Sequence, residues 1–255
     1  VYRVAILFPI WKRPQMTDVT MTAINHMREY RADIEVIPIG IGSEGPVSQK
    51  AAYSKGWDYV EFPNQAYPKF VRHWNTGAEY AKKFDVDYIM LAQSDDFIEP
   101  EIMNVFETLM DKDIDFSGIL DTYFWDTVNQ KIKYWAGYDG ARTGESMGPW
   151  RLLSKKLLDA LDWEIFKENS RDHAPWAADG VLHDVVMDLM KGGAPITMSN
   201  FMAKDYALHP MSMKDGDNIT AIELYEGKWL GDGIRTIHDN FSSLIPKLTE
   251  HNYVD

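Results

Sequence analysis

The 255-residue sequence contains no cysteine. Disulfide frameworks, zinc–thiolate sites, iron–sulfur clusters and cysteine nucleophiles are excluded with it. No apolar run approaches the ~18 residues that a membrane-spanning helix requires, and the N-terminus shows no signal-peptide pattern. With the missing cysteines, these absences lead us to expect a cytoplasmic protein. Positive charge is scarce: 26 Lys and Arg stand against 39 Asp and Glu, a formal net charge of -13. This argues against a protein that coats nucleic acid, because phosphate neutralisation needs a broad basic surface. It leaves spare carboxylates for divalent cations. Familiar signatures are missing too. The sequence has no Gly-x-x-x-x-Gly-Lys-Ser/Thr phosphate loop, no Gly-x-Gly-x-x-Gly after the first apolar run, no Gly-x-Ser-x-Gly elbow and no His-x-x-x-His metalloprotease spacing.

What the chain does have is a core-sized supply of apolar residues and a surplus of aromatics, with nine Trp and thirteen Tyr. Aromatic residues in excess of a core suit sugar or base stacking as well as packing. Residues 3–10 form a short continuous apolar run that predicts a strand buried on both faces. Met16, Val19, Ala23, Ile24 and Met27 recur at helical spacing and predict a helix over 15–30. Strands follow at 34–41, 58–62 and 87–92, with helices near 47–55 and 68–84. This alternation predicts an α/β fold with a mostly parallel sheet flanked by helices. In such sheets ligands bind beyond the carboxyl ends of the strands. The polar loops at 11–14, 42–46, 63–65 and 93–96 all fall there.

The second half reads differently. A helix is expected around 102–110, strand pieces at 116–120 and 131–135, a glycine-rich loop over 139–149, and helices at 154–161 and 179–191. Residues 194–255 are mixed. No repeat or low-complexity linker divides the chain, so a single domain over 1–255 is expected.

The sharpest local feature is Gln93-Ser94-Asp95-Asp96 at the end of an apolar strand. Two adjacent acids there are not both core residues; they are expected to face the ligand edge, where a hard cation bridging a diphosphate needs oxygen ligands. The competing reading is that one of them caps the helix that starts near Pro100.

Asn75-Thr76-Gly77, Ala81, the strand Asp87–Leu91 and then Ser94-Asp95-Asp96 together resemble the GT-A glycosyltransferases, in particular the broad family 2 type. The opening 8–14, Phe-Pro-Ile-Trp-Lys-Arg-Pro, is similar to their first strand and nucleotide loop. The resemblance covers roughly residues 3–112, and 145–193 more loosely. It implies a GT-A (Rossmann-like) sheet with a smaller mixed acceptor-side sheet. Residues 1–112 would form the nucleotide-sugar-binding half and 113–255 the acceptor side. The chain departs from the family where Gln93 replaces a common Asp, although its amide can still hydrogen-bond a hydroxyl.

The resemblance also implies roles. Pro9, Trp11 and Arg13 would hold the nucleotide, with Glu44 near the base edge and Asn64 at the third strand end. Lys69 and Arg72 would meet the diphosphate, and Asn75, Gln93, Ser94 and Asp95 would complete the nucleotide-sugar site. Asp95 and Asp96, with His209 after an expected strand, would bind Mn2+ or Mg2+; Asp205 is the rival of His209. Asp179 matches the acid that removes the acceptor proton in inverting members, a task a carboxylate performs when it lies within hydrogen-bond reach. Asp172 and Asp184 compete with it. The expected activity is transfer of a sugar from a nucleoside-diphosphate sugar, with a UDP-sugar favoured, to the hydroxyl of a glycan or another acceptor. Modified DNA is a further acceptor class, since Lys12, Arg13, Lys69, Arg72, Lys82 and Lys83 would make a local groove. A sugar nucleotidyltransferase and an inactive carbohydrate-binding protein of the same fold are the alternatives.

Overall fold

The computed structural model describes residues 1–62, 72–166, 178–215, 226–230 and 233–254. The first apolar run forms β1 (Tyr2–Ile10). It is followed by α1 (Pro14–Tyr30), β2 (Ile34–Gly42), α2 (Pro46–Ser54), β3 (Asp58–Glu61), α3 (His73–Ala81) and β4 (Tyr88–Leu91). β1 pairs in parallel with both β2 and β4, and β2 pairs in parallel with β3. The parallel α/β architecture read from the alternating pattern is therefore the observed one. Of the helix expected over 68–84, the described part is α3 and a 3-10 turn at Lys82–Phe84.

The chain continues through β5 (Asp96–Phe97), α4 (Ile102–Met110), β6 (Phe116–Ser117), β7 (Thr122–Asp126), β8 (Lys131–Trp135) and β9 (Arg151–Ser154). Next come α5 (Lys155–Ala160), α6 (Ala178–Lys191), β10 (Met211–Lys214), β11 (Lys228–Leu230), α7 (Gly233–Asn240) and α8 (Ile245–Glu250). β9 runs antiparallel beside β4 and carries β6 on its far side, so the first sheet is ordered β3-β2-β1-β4-β9-β6. A second, mixed sheet is ordered β11-β8-β7-β10-β5.

Both faces of the first sheet are covered, which is why its strands read as continuous apolar runs rather than alternating ones. Val4, Ile6 and Phe8 face Met21, Ile24, Ala52, Ile102 and Phe106 of α1, α2 and α4. Ala5, Leu7 and Ile41 face Trp74, Ala78, Leu157 and Val186 of α3, α5 and α6. Gly77 sets the approach of α3. A Cβ there would meet Ile41 Cδ1 at 2.4 Å and Ile41 Cγ1 at 3.0 Å.

The second sheet has two unlike faces. Phe97, Trp125, Ile132, Met211 and Met213 pack with Met16, Val19 and Ala23 of α1 and with Ile237 and Leu248 of the C-terminal helices. The opposite face carries a row of residues in register across all five strands. Asp96 lies opposite Ser212, Ser212 opposite Phe124, Phe124 opposite Lys133, and Lys133 opposite Trp229. Residues paired in register point to one side of a sheet, so this row forms one surface.

Candidate active site

The loop between β1 and α1 is held in an unfavourable conformation. Lys12 and Arg13 have φ of 52° and 45°, the left-handed region that side chains with a Cβ avoid at a cost of about 1–2 kcal/mol each. Pro14 then starts α1 with its φ already set for a helix. The loop is fixed from the second strand, because the Lys12 N–H donates to Glu44 Oε2 at 2.8 Å. The Trp11 ring is 45% exposed with the Lys12 ammonium 4.6 Å from its centroid. Beside this loop a cleft of about 220 Å³ opens between α1 and α2, with Lys12 and Glu44 among its lining residues. Strain of this kind persists only where surrounding contacts over-determine it, and such places cluster at functional sites.

The strained loop aims Arg13 at the end of β4. Its Nη1 lies 3.4 Å from Asp95 Oδ2 and its Nη2 3.4 Å from Ser94 Oγ. Lys214, at the end of β10, approaches the same Asp95 Oδ2 at 3.8 Å. The turn itself is tied on two sides: Thr20 Oγ1 donates to the Ser94 carbonyl at 3.2 Å, and the Met213 N–H donates to the Asp95 carbonyl at 2.8 Å. Asp95 and Asp96 are 7% and 5% exposed, so both adjacent acids are buried, although two adjacent acids were not expected both to be core residues. The chain turns at Ser94–Asp95 and drops Asp96 into the second sheet. Burial, and then the neighbouring charge of Asp95, push the Asp96 carboxyl up to about 7. Lys214, a hydrogen bond with Ser212, and Arg13 offset part of that. Neither acid caps α4, whose N-cap residue is Glu101.

A second loop is laid along the end of β4. The Trp150 N–H donates to the Leu91 carbonyl at 2.6 Å. Trp150 is fully buried with a φ of 61°, a poor conformation for a bulky residue. Arg151 is fully buried as well, and its guanidinium holds the loop: Nε donates to the Met147 carbonyl at 2.7 Å, and Nη2 to the Ser146 carbonyl at 2.6 Å. Glu145 is buried and paired with Arg142. The charges of Glu145 and Arg151 act on His183 of α6 in opposite senses. Burial lowers the His183 pKa. Asp179 is the second residue of α6, one turn before His183; its side chain lies outside the described residues.

The other expected site residues divide. Pro9 lies in β1 opposite Ile41, and Gln93 is half-buried just past β4. Arg72 immediately precedes α3. Asn64 and Lys69 lie outside the described residues. Asn75 serves the fold: its Nδ2 donates to the Phe166 carbonyl at 2.9 Å and its Oδ1 accepts the Phe166 N–H at 2.8 Å. The Asn-x-Gly motif is thus architectural at both positions. His209 precedes β10 rather than following a strand, and its partner is Glu99. Its Nδ1 lies 2.7 Å from Glu99 Oε1, and its backbone N–H donates to Glu99 Oε2 at 2.8 Å. Ser212 is the residue in register with Asp96, so His209 stands three positions further back along β10's chain.

The described residues therefore do not assemble Asp95, Asp96 and His209 into one donor set. Among them the one grouping of metal-ligating side chains is Asp18, Glu250 and His251, elsewhere on α1 and α8. Asp95 Oδ2 already faces two cations. An ion bound to that oxygen at about 2.1 Å would come within roughly 6 Å of both Arg13 and Lys214, a repulsion of about 5 kcal/mol with each at an effective dielectric of about 20, against an attraction of about 16 kcal/mol to Asp95 itself. The two cations therefore oppose a divalent ion at this turn and compete with it for Asp95.

Two cations of the second sheet were missed in the sequence. Lys214 lies in the stretch 194–255 that reads as mixed, although Met211-Ser212-Met213-Lys214 alternates as a strand does. Lys133, buried in the cross-strand row, was legible only once the register was known.

No protein-family model matches the sequence, and no curated protein matches it. Solved structures do resemble the fold. The mannosyltransferase PcManGT from Pyrobaculum calidifontis, solved in complex with GDP-Man and Mn2+, superposes with a TM-score of 0.54 at 10% identity over 86% of this chain and 59% of its own. S. aureus TarS 1-349, in complex with UDP-GlcNAc, gives 0.51 at 13% identity over 85% of this chain and 60% of its own. The chain has the GT-A glycosyltransferase fold, and it spans about 60% of the length of these two structures. No helix among the described residues is long and apolar enough to cross a membrane.

Proposed function

We propose that the protein transfers a sugar from a nucleoside-diphosphate sugar to an acceptor hydroxyl. The observation that carries this reading is the convergence of Arg13, Ser94, Asp95 and Lys214 beyond the carboxyl ends of β1 and β4, where sheets of this type bind ligands. The similar structures solved with GDP-Man and UDP-GlcNAc support the donor class. The nucleotide lies along the strained Trp11–Arg13 loop, with Glu44 at the base edge and the diphosphate on Arg13. Arg72 adds positive charge before α3, as Lys69 does in the sequence. Asn75 is left out of the site, and His209 keeps its place on Glu99.

In the transfer step the acceptor oxygen attacks the anomeric carbon. The bond from that carbon to the diphosphate oxygen breaks, and its electron pair leaves on the diphosphate. The acceptor proton passes to Asp179, and attack from the face opposite the leaving diphosphate inverts the anomeric carbon. A UDP-sugar is the favoured donor and a glycan the favoured acceptor. The Mn2+ or Mg2+ expected from the sequence is assigned no step here.

Thermal unfolding against UDP-, GDP-, CMP- and dTDP-linked sugars, with and without Mn2+, tests the reading. A donor that binds only the folded state at a hundredfold excess over its Kd adds about 2.7 kcal/mol of stability. The expected result is a rise with one nucleotide class. Asp179→Asn then abolishes transfer and leaves that rise intact. No rise with any donor overturns the assignment, and transfer at the wild-type rate by Asp179→Asn removes the base.

A further inference from the structure

We infer that the diphosphate of the donor is neutralised by a fixed pair of side-chain cations, Arg13 and Lys214, which share Asp95 Oδ2 as their resting counter-ion. The inference deepens the nucleotide-sugar reading above and rests on it.

Arg13 and Lys214 come from different sheets. Arg13 is delivered by the strained loop after β1, and Lys214 by the last residue of β10. They meet on one carboxylate oxygen, at 3.4 and 3.8 Å. Both distances exceed those of a well-formed charged hydrogen bond. A carboxylate that binds its cations at that range orients them without saturating their N–H groups. Lys214 is also the more buried of the two, its side chain 14% exposed against 28% for Arg13. Ser212, two residues earlier on β10, sits beside Asp96 in the cross-strand row, so Lys214 projects from the same face of the second sheet. The two cations therefore reach the same oxygen at the Ser94–Asp95 turn from different sheets.

A leaving diphosphate accumulates negative charge as the anomeric bond breaks. Two oriented cations meet that charge with no reorganisation at the moment of reaction. Asp95 is then the residue that positions both cations, and neither Asp96 nor His209 is required as a ligand.

The test is binding of UDP, GDP and the corresponding monophosphates by titration calorimetry, in excess EDTA and in Mn2+, to the wild-type chain and to Lys214→Met and Lys214→Arg. Circular dichroism of each variant checks folding. The expected result is that one nucleoside diphosphate binds wild type in EDTA within a few fold of its affinity in Mn2+. Lys214→Met loses about tenfold or more, the worth of a charge-assisted hydrogen bond. Its loss falls on the diphosphate and spares the monophosphate, and Lys214→Arg recovers most of the affinity. Diphosphate binding that vanishes in EDTA and returns with Mn2+ overturns the inference and leaves the nucleotide-sugar reading standing. Wild-type affinity in a folded Lys214→Met also overturns it. Binding of no nucleotide under either condition overturns both.

Discussion

Two aspartates in this protein each gather cations, and they do so differently. Asp18 of α1 is gripped by Lys55 at 2.6 Å, Lys247 at 3.0 Å and His251 at 2.8 Å. These contacts staple α1 to the end of α2 and to α8 at the C-terminus. Asp95 holds Arg13 and Lys214 at 3.4 and 3.8 Å, although its side chain is the more buried of the two. Geometry and burial therefore run in opposite senses. The tight group is a clasp, whose value is to hold helices together. The loose group forgoes pairing energy where burial would make pairing strongest, as expected of charges kept ready for another partner.

The contrast is first sharpened by a cation that is buried and fully committed. Arg151 donates to the Met147 and Ser146 carbonyls with no exposed surface. Arg151→Met is expected to cost about 3 kcal/mol or more, because those carbonyls lose their donors in the interior. Chemical denaturation measures it. A loss under about 1 kcal/mol would show that the loop over β4 is held by something other than this side chain.

Asp18→Asn is expected to cost about 1 kcal/mol once solvent screening is counted, some 2–4 °C in Tm for a chain of this size. The partners hold the Asp18 carboxyl down to about 2 from an ordinary 3.8, against the opposing effect of burial. A depressed folded pKa contributes stability above the unfolded value and loses it as pH falls through the folded one. That contribution is therefore complete above about pH 4 and gone near pH 2. Its size is about 2 kcal/mol before solvent screening of a partly exposed group. A stability profile with the same acid limb in wild type and Asp18→Asn would break the picture of a clasp.

Asn75→Ala is expected to cost about 1–2 kcal/mol for the two Phe166 hydrogen bonds and to leave nucleotide affinity unchanged. Weaker nucleotide binding in a stably folded Asn75→Ala would return the residue to the site.

The sequence disclosed β1, β2 and β4 of the first sheet because they are apolar runs covered on both faces. It disclosed the second sheet poorly. β5 has two residues and β11 three, too few to display a period of two. The motif-bearing residues were visible for mixed reasons. Arg13, Ser94 and Asp95 were found together, and the structure brings them together. Asn75-x-Gly77 was found by the same resemblance, yet Asn75 is bound to Phe166 and Gly77 makes room for Ile41. Lys214 carried a local signal in the alternation of β10, but its meeting with Asp95, like the row from Asp96 to Trp229, depends on pairing between distant strands, which no local pattern encodes. His209 went astray for the same reason: its partner Glu99 is 110 residues away in sequence.

The smallest expected effect bears hardest on the comparison. Asp95→Asn removes the charge that Arg13 and Lys214 share but keeps the shape of the side chain. If both contacts were strong, the variant would strand two partly buried cations and lose several kcal/mol, as breaking a well-formed buried pair does. At the observed distances the expected loss is under about 1 kcal/mol. It is offset further because Asp96 is relieved of the neighbouring charge that raises its pKa. Nucleotide affinity is expected to fall instead, since the two cations lose the carboxylate that aims them. Denaturation and calorimetry on the same preparation separate the two quantities. A large stability loss with unchanged nucleotide affinity would make Asp95 a second clasp like Asp18, and the difference between the two aspartates would be one of distance alone.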